Sequence, residues 1–134
     1  MAAKKITTTI LSHAVINQGK DQAAWYLDHF GEDAADRVRG IISAGIRTII
    51  ARPESGRLVN GLPRTYRRVR SEPYYLYYEL DYNTREAFIF LLRHESQRPY
   101  APGSLRNKAR EARLGGSIVL PNGHEQEDVE DDED

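Results

Sequence analysis

The stretch TYRRVRSEPYYLYYELDYNTREAFIFLLR, Thr65 to Arg93, decides the fold. It holds three runs rich in β-branched and aromatic residues, Thr65–Arg70, Tyr74–Asp81 and Ala87–Arg93. Glu72-Pro73 parts the first two, and Tyr82-Asn83-Thr84-Arg85 parts the last two. Connections this short join antiparallel hairpin strands. In the middle run, a period of two sets Tyr74, Leu76, Tyr78, Leu80 and Tyr82 on one side. Tyr75, Tyr77, Glu79 and Asp81 fall on the other. Tyr74 and Tyr78 read as amphipathic core residues with their hydroxyls at a wet edge. The last run does not alternate, which predicts a central strand covered on both faces.

Upstream, Lys4–Ser12 reads as a strand, with Ile6, Thr8 and Ile10 alternating with Thr7, Thr9 and Leu11. Ser12 is placed to cap a helix starting near His13. Gly19 weakens its first turns by roughly 1 kcal/mol relative to Ala, so the helix is expected to break there or to begin nearer Asp21. Gly31 is its expected stop. Asp33 then caps a second helix. Its stripe, from Ala34 through Val38, Ile42, Gly45 and Ile49, recurs every three or four residues. Pro53 ends it. The short link between the helices predicts an antiparallel hairpin, and its apolar face must bury against the sheet. Downstream, Gln97–Ser104 reads as a loop and Leu105–Leu114 as a short basic helix. From Ser117 on, the chain reads as an unstructured extension with a weak strand signal at Ile118–Leu120. The expected fold class is α+β, in the order β-α-α-β-β-β. A helical hairpin packs on a mostly antiparallel four-stranded sheet, followed by a short C-terminal helix and a disordered acidic tail. Residues 1–114 form the expected domain and residues 115–134 the flexible tail.

Composition sharpens this picture. The 134 residues suit one domain. They hold no cysteine, which excludes disulfides and thiolate metal sites. The start of the chain is too polar for a secretion signal, and no apolar run approaches the ~20 residues that span a bilayer. A cytoplasmic protein without membrane partners is therefore expected. The 19 basic and 20 acidic residues nearly cancel, but unevenly: eight of the acids lie in residues 125–134. Residues 1–123 carry 19 basic and 12 acidic groups, a net of +7. The acidic run is expected to solubilise the chain or to fold back over its basic surface.

Nine arginines lie in residues 37–70: Arg37, Arg39, Arg47, Arg52, Arg57, Arg64, Arg67, Arg68 and Arg70. The planar guanidinium grips phosphate or carboxylate at two points. Arg64, Tyr66, Arg68 and Arg70 share one strand face. That face reads either as the charged edge of a sheet, which discourages aggregation, or as a docking surface for nucleic acid or an acidic protein. Tyrosines beside it, Tyr75 and Tyr77 among them, could stack bases. His94, beside Arg93 and near Arg98, is a candidate general acid or base. The four histidines have no metal-ligand spacing, and no phosphate loop, dinucleotide-binding glycine pattern or nucleophile elbow is present. No cofactor or metal is expected.

Several pieces then fall in a suggestive order: Leu11-Ser12-His13-Ala14 at the first strand end, the helical hairpin, and Pro53-Glu54-Ser55-Gly56-Arg57 with Arg64 close behind. Tyr74-Tyr75-Leu76-Tyr77-Tyr78, Phe90-Leu91-Leu92-Arg93-His94 and Arg98-Pro99 complete them. Together they resemble the RelE/ParE superfamily of bacterial type II toxin–antitoxin toxins, from about Ile6 to Pro99. The resemblance implies a toxin neutralised by a small antitoxin that wraps it. RelE-like members cut mRNA on the ribosome, whereas ParE-like members poison DNA gyrase. The strand arginine that RelE-like enzymes use to stabilise phosphate charge is Tyr75 here. Loss of such stabilisation typically costs ~3–4 kcal/mol. With the long hairpin, this makes the chain look ParE-like: a gyrase inhibitor binding through Arg57, Arg64, Arg68, Arg70, Tyr75 and Tyr77. The alternatives are an mRNA endonuclease using His94, Arg93 and Arg98, and a non-toxic binding module on the same scaffold.

Overall fold

A computed structural model describes residues 5–121. The first strand, β1 (Thr8–Ser12), leads into α1 (His13–Phe30) and α2 (Glu32–Ala51). There follow β2 (Arg57–Leu58), β3 (Tyr66–Ser71), β4 (Tyr74–Asp81) and β5 (Glu86–His94), then α3 (Pro102–Leu114) and β6 (Ser117–Pro121). The sheet runs β2-β3-β4-β5-β1-β6. Every pairing is antiparallel except that of β1 with β5.

The α+β architecture matches the sequence reading, with six strands rather than four. Strand β2 has only two residues, too few to show a period, and exists because Arg57 and Leu58 lie against Arg68 and Arg67. Strand β6 takes the free edge of β1, from Ser117 opposite Ser12 to Pro121 opposite Thr8. The chain from Ser117 is thus sheet up to Pro121 rather than an unstructured extension. Its apolar signal was weak because Ile118 and Val119 remain exposed. The acids at 125–134, and Lys4 at the other end, lie outside the described residues.

Helix α1 is unbroken. The Ser12 side chain accepts the Val15 N–H at 3.2 Å and caps it. Gly19 is tolerated because it faces α2, where a Cβ would lie 3.8 Å from Ile42 Cδ1. Helix α2 begins at Glu32, and its cap position is Gly31 rather than Asp33. Gly31 serves both helices. Its N–H donates to Leu27 O at 3.0 Å, and its carbonyl accepts from Ala35 N at 3.2 Å. This needs φ +91° and ψ −178°, a conformation open essentially to glycine alone. Helix α3 starts three residues earlier than expected, with Pro102 in its first turn.

Two cores result. Between the hairpin and the sheet lie Val38, Ile42 and Ile49 with Tyr74, Leu76, Tyr78, Leu80 and Ile89. Gly45 lets α2 approach β4, since a Cβ there would meet Leu76 Cδ1 at 2.6 Å. On the other face, α3 sets Leu105, Ala109 and Ala112 against Ile10, Tyr66, Phe88, Phe90 and Leu91. Strand β5 is buried from Ala87 to Arg93, as a central strand should be. Polar clips tie the hairpin to the sheet. Tyr74 donates to Gln22 Oε1 at 2.7 Å, Leu92 N to Gln18 Oε1 at 2.9 Å and Ser71 Oγ to Ile41 O at 2.7 Å.

Two outcomes test this packing. Nothing lies within 4 Å of a Cβ built on Gly31, so Gly31→Ala has a purely conformational penalty. Urea melts should show a loss of about 1–3 kcal/mol. Burial pushes the Tyr74 and Tyr78 phenols up to about 12. The neutral phenols therefore stabilise the fold fully below pH ~10, the unfolded value, and this contribution is lost as pH climbs toward 12. Stability should fall across that window, and Tyr74→Phe with Tyr78→Phe should flatten the fall.

Candidate functional site

The site grows from the sheet face opposite the hairpin, at the end that α3 leaves open. Register places Arg70 opposite Tyr75, and Tyr75 opposite Arg93. One strand step along, Arg57 lies opposite Arg68, and Arg68 opposite Tyr77. The Tyr75 ring is the hub. Arg68 and Arg93 each place their Cζ 4.9 Å from its centroid, and Arg70 lies at 6.0 Å. Because β4 runs between β3 and β5, Arg68 and Arg93 approach from opposite sides. A desolvated cation–π contact is worth up to about 2 kcal/mol, an exposed one less.

Arg93 reaches this face because of an irregularity in β5. Tyr77 pairs with Leu91, but Tyr78 pairs with Ile89, which leaves Phe90 as one extra residue. Phe90 and Leu91 consequently both join the α3-side core, while Ile89 and Leu92 join the hairpin side. With strict alternation Arg93 would follow Ile89 onto the hairpin side. The bulge delivers it to Tyr75 instead.

The cluster's cations differ in how free they are. Arg93 is 4% exposed. Its Nη1 donates to Gln97 O at 2.7 Å and its Nε to Tyr77 Oη at 3.3 Å, so it braces the turn after β5. Arg70 is exposed and bridges to Glu95 at 2.7 Å and Glu72 at 3.3 Å. Among the described residues, no carboxylate pairs with Arg57 or Arg68. These two, with Arg70, Tyr75, Thr48 and Ser55, line a groove of about 540 Å³ along the edge of β3.

The loop after α2 is fixed by Tyr78 and Arg67, to which the sequence reading gave no role in this loop. Tyr78 Oη donates to Pro53 O at 2.6 Å and accepts the Gly56 N–H at 3.2 Å. A Cβ on Gly56 would run into that hydroxyl. Arg67 Nη1 donates to Glu54 O at 2.8 Å and Gly56 O at 3.1 Å. Arg67 is thus a brace. Its period-of-two position had already set it on the face away from Arg68.

The other expected residues are distributed differently. Tyr77 is 4% exposed, a support beneath Arg93 rather than a surface group. Arg64 and Arg98 are exposed, and no contact draws them into the cluster. Arg37, Arg39 and Arg47 ride on α2, which packs the other face. His94 Nδ1 is engaged by Ser96, through its N–H at 3.0 Å and its Oγ at 2.8 Å, and the ring stands edge-on to Tyr74 at 5.1 Å. Among the described residues, no group of three His, Asp or Glu side chains could hold a metal ion. No helix there is long and apolar enough to cross a membrane.

A family match adds what the fold leaves open: it places the chain among the toxins of toxin–antitoxin pairs. The family model described as ParE toxin of type II toxin–antitoxin system, parDE, matches residues 9–99, and the chain belongs to that family. Membership implies a cognate antitoxin partner. A search of curated proteins finds no match to the chain. The matched segment ends before α3 and β6.

Arg93→Ala removes a buried brace with three polar contacts and should lower stability by about 2–3 kcal/mol in denaturant melts. Arg70→Ala, at an exposed and solvent-screened ion pair, should leave the denaturation midpoint essentially unchanged in the same measurement.

Proposed function

We propose that the chain inhibits DNA gyrase in the ParE manner, docking through the Arg57–Arg68–Arg70–Tyr75 ledge, and that its antitoxin relieves this. One observation carries the reading. Where phosphoryl-cleavage chemistry wants a free cation beside a free base, Arg93 next to His94 is buried and braces the turn, and Arg70 is bridged to Glu95 and Glu72. The imidazole of His94 meanwhile holds its own turn. General base catalysis needs a group within hydrogen-bonding reach of the proton it takes. A nitrogen already shared with Ser96 is poorly prepared for that task. A rigid ledge of guanidiniums on a fixed sheet suits recognition, which rewards groups ordered in advance.

Purified protein in a gyrase supercoiling assay tests this. The expected result is inhibition that Arg68→Glu with Tyr75→Ala weakens at least tenfold, while His94→Ala leaves it within about twofold. Undisturbed supercoiling at large protein excess would overturn the reading. Cleaved transcripts on expression, lost on His94→Ala, would replace it with the mRNA endonuclease. Harmless expression without any antitoxin would point to a binding module.

A further inference from the structure

We propose that α3 and the adjoining ledge form one face for the sugar–phosphate backbone of duplex DNA, so that the toxin touches the DNA its target holds. The identity of that target rests on the gyrase reading, but the binding itself is a property of this chain. Helix α3 lies outside the matched family segment. It buries Leu105, Ala109 and Ala112 on the sheet, and the neighbouring stripe is Arg106, Arg110 and Arg113, spaced four and three residues apart. Since α3 packs on the face that carries Tyr75 and Tyr77, its stripe and the Arg57–Arg68 ledge lie on the same side of the molecule. Arg113 is partly spent on Glu79 at 2.9 Å. Among the described residues, no carboxylate pairs with Arg106 or Arg110.

The chemistry of this face favours a backbone over bases. Binding single strands requires aromatic rings open for stacking. Here Tyr75 is flanked by Arg68 and Arg93, Tyr66 and Tyr77 are buried, and Lys108 lies 5.5 Å from the Tyr100 ring centroid. Tyr100 is the exposed ring here, whereas the cations without a carboxylate partner at Arg57, Arg68, Arg106 and Arg110 are guanidinium, the group best matched to phosphate. The whole chain has net charge −1, so any binding must come from a local patch rather than from bulk attraction.

The full chain and a short labelled duplex, followed by fluorescence anisotropy across a salt series, test the proposal. If Arg68, Arg106 and Arg110 each neutralise one phosphate, log affinity should fall with log salt at a slope of about −3, or roughly 40-fold between about 50 and 200 mM. Arg106→Glu with Arg110→Glu should weaken binding at least tenfold and bring the slope to about −1. Arg37→Glu with Arg47→Glu, on α2, makes the same charge change elsewhere and should leave both unchanged. A second full-length chain, with the eight acids of 125–134 replaced by amides, should bind at least as tightly. The proposal is overturned if neither this chain nor the natural one binds duplex at low salt. It is also overturned if a single strand binds more tightly than the duplex, or if the α2 variant loses as much as the α3 variant. Gyrase inhibition without DNA binding sinks this inference alone, whereas DNA binding with undisturbed gyrase sinks the reading of the target.

Discussion

One extra residue in β5 determines which side of the sheet Arg93 occupies. Up to Ile89 the strand alternates toward the hairpin with odd numbers. After Phe90 it alternates toward the hairpin with even ones, so Leu92 packs inward and Arg93 emerges beside Tyr75. A β-bulge is a local change of phase, and here the phase sets the chemistry. Had Arg93 stayed in phase with Ile89, a guanidinium would press into an apolar core, at a large desolvation cost. The fold instead spends it on Gln97 O, Tyr77 Oη and the Tyr75 ring. Tyr75 opposite it, with Tyr77 buried beside it, thereby becomes a platform for the guanidinium.

A second constraint acts from the other edge. The Tyr78 hydroxyl sits at the end of a buried ring and joins Pro53 O to the Gly56 N–H. That fixes where the chain leaves α2, which in turn lays Arg57 against Arg68. The face of β4 that builds the core therefore also positions the groove beside the opposite face. Parity along one strand separates the hairpin-side core, Tyr74, Leu76, Tyr78 and Leu80, from the face of Tyr75 and Tyr77, where we propose that recognition occurs.

Much of this was legible in the sequence, and the reasons are physical. Parity assigned the tyrosines of β4 correctly, because a strand paired on both sides cannot rotate. The stripe on α2 and the central place of β5 followed from apolar spacing alone. The capping of α2 was misplaced because Gly31 does with backbone geometry what a side chain usually does. Strand β2 escaped notice, and β6 gave only the weak signal at Ile118–Leu120, because each exists through distant pairing more than through its own pattern. Among the arginines, residue type was informative but role was not. Arg67 and Arg93 brace the backbone, Arg70 is neutralised by Glu95 and Glu72, and only Arg57 and Arg68 remain without a carboxylate partner in the groove. The period of two separates Arg67 from Arg68 and Arg70, but it does not distinguish the other fates, because these depend on a loop or bulge that folding supplies.

The account stands on the Tyr75 face being the surface that meets the target. The most direct measurement places a photo-crosslinking amino acid at position 75 and, in a second chain, at position 37 on α2, and illuminates each with gyrase and DNA. The account predicts a covalent adduct with gyrase or its DNA from position 75 and none from position 37. An adduct from position 37 with none from position 75 would contradict it.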